Sequence, residues 1–207
     1  MLQWFLSNCP LLDHVCLNGQ PKGTGFAAEG NKFTFVDLFQ CVPLIKTLNI
    51  SKYYMKCLSA GGMPHKLPTS LVNLEYLFLD VCLMEHNEIA YVFCMIMSSP
   101  TLVEINFQMY DNKKPPVQQT PSNFLDSKDY SDMKLERLET LKIGMFSNLP
   151  IEMEFVKLIM LRSPVLKNVQ IKLSDYVSVA EEVKLLRDMV THPIPRASPS
   201  AKLIIIR

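Results

Sequence analysis

The chain has 207 residues, 21 basic against 20 acidic side chains, 48% hydrophobic residues and 20% charged ones. That is apolar material for one domain or one and a half, and it excludes disorder as the main state. A net charge of +1 offers no basic surplus to track a phosphate backbone, so no nucleic-acid partner is expected. The longest apolar run, Ile89 to Met97, is half a bilayer span, and Met1 to Leu6 lacks a cationic n-region, so neither a membrane nor an export route is expected.

In chain order, one hexad recurs: an apolar residue, two others, an apolar residue, one other, an apolar residue. It first reads Leu12-Asp-His-Val15-Cys-Leu17. A Gly- and Pro-containing stretch, Asn18 to Lys32, then reads as an inserted loop, and Phe33 to Gln40 as a short helix. The second hexad is Ile45-Lys-Thr-Leu48-Asn-Ile50, followed by a helix after Ser51 that Gly61-Gly62 should stop. The third, Leu74-Glu-Tyr-Leu77-Phe-Leu79, extends to Cys82 and so completes the leucine-rich-repeat consensus. Asn87 is placed to cap the next helix, whose Ile89, Val92, Phe93, Ile96 and Met97 share a face. Leu102-Val-Glu-Ile105-Asn-Phe107 is the fourth hexad, and a second polar insertion, Asp111 to Lys134, follows it.

The fifth hexad is Leu138-Glu-Thr-Leu141-Lys-Ile143. A helix after Pro150 carries Ile151, Phe155, Leu158, Ile159 and Arg162, and Pro164 stops it. Leu166-Lys-Asn-Val169-Gln-Ile171 is the sixth hexad. The capping box Ser178-Val-Ala-Glu181 then opens a helix with the apolar stripe Val179, Val183, Leu186 and Val190. A strand from Lys202 to Arg207, together with that helix, is expected to seal the carboxyl end.

The hexads begin at 12, 45, 74, 102, 138 and 166, with a proline two residues before four of them: Pro10, Pro43, Pro100 and Pro164. Strand then helix at this interval predicts an α/β fold, a leucine-rich-repeat solenoid shaped like the ribonuclease-inhibitor horseshoe. A parallel sheet would line the concave side and helices the convex side. Alternation along each strand then turns the residues between the hexad's apolar positions outward. The candidate partner-binding residues on that concave face are Asn49, Tyr76, Phe78, Asp80, Glu104, Asn106, Gln108 and Lys142. Tyr76 and Phe78 lead, because exposed aromatic area is what partner hot spots are made of.

No catalytic constellation emerges. Lys22-Gly23-Thr24-Gly25 has neither Gly-rich phosphate spacing, Cys16 with His14 has no orienting carboxylate, and His65 sits in a turn-like context. Glu152 and Glu154 sit in the first turn of a helix, where the macrodipole favours carboxylates. Met95, Met97 and Met109 read as core filler. The six cysteines (9, 16, 41, 57, 82 and 94) form no C-x-x-C pair and the four histidines no ligand doublet. Buried reduced thiols, an intracellular setting (cytoplasm or nucleus), no metal, no cofactor and no enzyme activity are expected.

The chain resembles the C-terminal part of plant F-box/FBD/LRR-repeat proteins. Cys9-Pro10-Leu11-Leu12, Ser99-Pro100-Thr101-Leu102 and Ser163-Pro164-Val165-Leu166 carry the repeat part of the resemblance. Leu138 to Ile143, Phe146, Glu152 to Ile159 and Ser163 to Ile171 carry the FBD part. Where that pattern has a glycine just after Phe146, this chain has Ser147 and Asn148. The resemblance implies irregular leucine-rich repeats over 1–134 and an FBD-like segment over 135–207 that continues the same solenoid. It implies the substrate-recognition part of an SCF-type E3 ubiquitin ligase receptor, holding a protein substrate. The F-box that docks such receptors on a Skp-type adaptor has no counterpart in this sequence, so adaptor binding is expected only with an F-box upstream. The alternative is a free-standing or truncated repeat scaffold, or decoy, with no ligase connection.

Overall fold

Each hexad commits alternate side chains to one face of an extended segment. The computed structural model describes residues 9, 11–19, 35–59, 66–110, 130 and 132–207 and forms a strand at each of the six. These are β1 (His14–Leu17), β2 (Thr47–Ile50), β3 (Tyr76–Val81), β4 (Glu104–Met109), β5 (Thr140–Phe146) and β6 (Asn168–Leu173), and β7 (Lys202–Ile206) follows. All are parallel neighbours in one seven-stranded sheet whose strand order is the chain order. The connecting helices are α1 (Phe35–Cys41), α2 (Lys52–Ser59), α3 (His86–Ser98), α4 (Pro150–Leu161) and α5 (Val179–Thr191). The bulk of both insertions, the Gly61-Gly62 stop, the Lys22–Gly25 stretch and His65 lie outside the described residues.

Register is what turns the repeats into a core. Val15, Leu48, Leu77, Ile105, Leu141, Val169 and Leu203 pair across successive strands as one row. Leu17, Ile50, Leu79, Phe107, Ile143, Ile171 and Ile205 form a second row beside it. From β1 to β6 every member of both rows is buried. A parallel strand cannot bury one face alone, and here the helices cover it: Phe93 of α3 and Phe155 of α4 join the same cluster, as do Met95 and Met109, with Met97 packed against it.

The strand-entry turns repeat as closely as the strands. A backbone N–H three residues on closes each turn, as in Ile45 to Val42, Leu74 to Leu71, Leu102 to Ser99 and Leu166 to Ser163. Ala201 to Ser198 has the same bond, and Lys202 N–H then reaches Lys167 O just as Asn168 N–H reaches Glu139 O. The chain therefore has a seventh rung. Its strand is the one expected from Lys202, but no hexad precedes it because Ala201, a small residue, stands in the leucine's place with one residue fewer before the strand.

Three expectations need correction. The helix α3 begins at His86 with Glu85 as its N-cap, so Asn87 lies inside it. Only Cys82 and Cys94 are buried thiols; Cys9 and Cys41 are half-buried, Cys16 and Cys57 exposed. The stripe on α5 faces away from the core: Val179, Val183, Leu186 and Val190 are exposed, Val190 by 80%, and Leu185 is the residue buried. With Leu203 and Ile205 only partly covered as well, the carboxyl end is less sealed than the helical pattern suggests.

Two buried carboxylates hold strand-to-helix corners. Glu88, 2% exposed, accepts the Cys82 N–H at 2.8 Å and the Tyr110 hydroxyl. Burial pushes its carboxyl above the ordinary 4.5, although both hydrogen bonds pull the other way. A raised folded-state value favours the protonated form. The stability it gives is complete below pH 4.5 and is lost as pH rises through the raised value. Glu88→Gln keeps the geometry without the charge. In urea titrations from pH 4.5 to 7 its midpoint should rise steadily relative to the parent's, and parallel pH profiles would rule the effect out.

Candidate functional site

The other face of the sheet carries the side chains between the buried rows. One row runs His14, Thr47, Tyr76, Glu104, Thr140, Asn168 and Lys202. The next runs Cys16, Asn49, Phe78, Asn106, Lys142, Gln170 and Ile204. Beyond them, Asp80 pairs with Gln108 and Gln108 with Gly144, and Lys172 pairs with Ile206. All eight residues picked from the hexads thus stand on one face, over four adjacent strands, β2 to β5. Tyr76 and Phe78 are half-buried, between full exposure and full cover by their neighbours.

Contacts within the face decide which groups are available. Glu104 and Lys142, on adjacent strands, form an ion pair of 2.6 Å, and the carboxylate raises the lysine's pKa. Asp80 is occupied differently. Its carboxylate accepts the Lys52 N–H at 2.9 Å, so it caps the first turn of α2 from the neighbouring rung. Partial burial raises its pKa against that hydrogen bond. Asp80 therefore positions α2 as well as standing on the face. The register explains the contact: one step past the Leu79–Ile50 pair, Asp80 falls beside the start of the helix after Ser51.

Gln108 lies across the backbone of Gly144, where a Cβ would stand 2.2 Å from its side-chain oxygen. The glycine makes room for the amide. Asn49 donates towards the Cys16 sulfur at 3.9 Å, while its own side-chain oxygen is buried without a hydrogen bond. Cys16 and His14 sit on β1 with their own neighbours, Asn18 and Asp13 respectively. They do not form a nucleophile–base pair.

Elsewhere, Glu152 is fully buried and accepts the N–H groups of Ser147 and Leu149 at 2.9 and 3.0 Å. It anchors a corner, in addition to the helix-terminal placement read from sequence. In that corner Asn148 adopts φ of 60°, the left-handed conformation that glycine favours and asparagine tolerates. Among the described residues no group of three or more His, Cys, Asp or Glu could hold a metal ion, and no helix is long and apolar enough to cross a membrane.

The chain is 29% identical over 98% of its length to an F-box/FBD/LRR-repeat protein of Arabidopsis thaliana. It spans 48% of that relative's length. The relative bears out the family resemblance read from the repeats and the tail. No family model matches the chain, and no solved structure matches it.

Proposed function

We propose that this chain, similar over nearly its whole length to an F-box/FBD/LRR-repeat protein, is a protein-interaction module and not an enzyme. Its seven rungs curve as a leucine-rich-repeat solenoid, with the irregular repeats in 1–134 and the FBD-like segment in 135–207. The pairing of Glu104 with Thr140 carries the sheet across that division without a break, which supports one continuous unit. A protein partner lies along Asn49, Tyr76, Phe78, Asp80, Glu104, Asn106, Gln108 and Lys142. In the whole receptor, this part selects the substrate of an SCF-type ubiquitin ligase.

The observation that carries the proposal is the half-buried aromatic pair Tyr76 and Phe78 at the middle of a polar sheet face. Rigid rings held by a strand present contact area at little cost in side-chain entropy, and such residues dominate interface energies. The substitution Phe78→Ala should weaken a partner captured from plant extract by about 2 kcal/mol, roughly 30-fold in Kd. Since Phe78 is outside the buried rows, the circular dichroism spectrum should not change. Unaltered affinity with an intact fold would sink the proposal.

The second reading is a free-standing scaffold or decoy with no ligase connection. The two separate on a pull-down of Skp-type adaptor with the protein translated from its full transcript. Adaptor recovered with the full product but not with this chain favours the receptor, and none recovered with either favours the scaffold.

A further inference from the structure

We propose that the partner is held as an extended peptide segment, with an apolar side chain over Tyr76 and Phe78 and an acidic side chain four to six residues away at β6 and β7. This rests on the reading of the sheet face as an interaction surface and adds the chemistry of its ligand.

The charges decide which end is acidic. Of the two carboxylates on the face, Asp80 is engaged by the Lys52 N–H and Glu104 by Lys142. Lys172 and Lys202 stand exposed on the same face, and neither ammonium has an ion pair among the described residues. The uncompensated charge of the face is therefore positive and sits at its carboxyl-terminal end. A partner aligned by electrostatic complementarity places its acid there.

Between the aromatic pair and the lysines lie side-chain amides. Asn106 and Gln170 occupy the Phe78 row and Asn168 the Tyr76 row. A carboxamide offers both a donor and an acceptor, the pair of groups that a peptide main chain requires. Spacing sets the length. Adjacent strands are about 4.8 Å apart, so β6 and β7 stand about 14 and 19 Å from β3, the reach of roughly four to six extended residues at about 3.3 Å each.

The test is to pan a phage-displayed library of random dodecapeptides on the chain, on its K172E/K202E variant and on Phe78→Ala. The parent should enrich peptides with an aromatic or aliphatic residue followed or preceded at that spacing by Asp or Glu. The reversed variant should bind a selected synthetic peptide about tenfold more weakly, equivalent to about 1.4 kcal/mol, and should enrich Lys or Arg at the same place. Both lysines are exposed, so melting of the variant should match the parent.

Peptides lost with Phe78→Ala yet indifferent to K172E/K202E overturn the acidic register while the interaction face stands. Enrichment that ignores Phe78→Ala as well, or no enrichment at all, overturns the peptide proposal. Equal competition by an oligo-dT strand also overturns it, because the lysines would then be reading a polyanion and not a peptide.

Discussion

Phe155→Ala should lower the free energy of unfolding by about 3–5 kcal/mol, the range for truncating a fully buried phenylalanine. Its ring is completely buried on α4 and meets Phe107 of β4 at 5.1 Å and 70°, and Phe93 of α3 at 5.9 Å and 61°. Phe93 in turn stacks on Tyr130 at 3.9 Å. Removing the Phe155 ring takes an edge-to-face partner from two neighbouring elements at once, in a core that adjacent repeats share. A loss of that size corresponds to a melting temperature lower by on the order of 10 °C in a domain this large.

The control is on α5. Val183→Lys and Val190→Lys fall on an apolar stripe that helical periodicity alone assigns to the core, yet both side chains are exposed. Each should stay within about 0.5 kcal/mol of the parent. A Phe155→Ala loss below about 1 kcal/mol, or collapse of either lysine variant, would contradict the packing described above.

Glu152→Ala should cost about 2–4 kcal/mol, because it strands two backbone N–H groups, of Ser147 and Leu149, beside a fully buried site. Glu152→Gln keeps a carbonyl oxygen that accepts both bonds and should lose less than half as much. Denaturant midpoints of the two variants give the comparison directly. Equal losses would mean that the charge and not the acceptor matters. No loss from alanine would mean that water replaces the carboxylate.

Six of the seven rungs were legible because their physics is local. A strand with one buried face must place apolar residues two apart, and the Leu48–Ile50, Leu77–Leu79 and Leu141–Ile143 pairs do so at similar intervals. The face on which Tyr76, Phe78, Asn106 and Lys142 stand was legible for the same reason, since they alternate with such pairs, Asn106 with Ile105 and Phe107. What alternation could not reveal was occupancy. Asp80 reads as one more outward acid until the position of α2 shows that it caps the helix of the preceding rung. Nor could it separate Lys142, neutralised by Glu104 on the adjacent strand, from Lys172 and Lys202, which are not.

Chain-local pattern determined the repeat, its α/β class, the direction in which each strand side chain points and the Ser178–Glu181 cap, all of which depend on neighbours within a few positions. Tertiary structure alone decided that the strand expected from Lys202 joins the sheet as a seventh rung, that the Val179–Val190 stripe turns outward and that Glu88 and Glu152 are buried. Each of these depends on what an adjacent rung supplies. A helical stripe is buried only if another surface reaches it, and a carboxylate tolerates burial only where hydrogen-bond donors converge on it, two backbone N–H groups at Glu152 and one with the Tyr110 hydroxyl at Glu88.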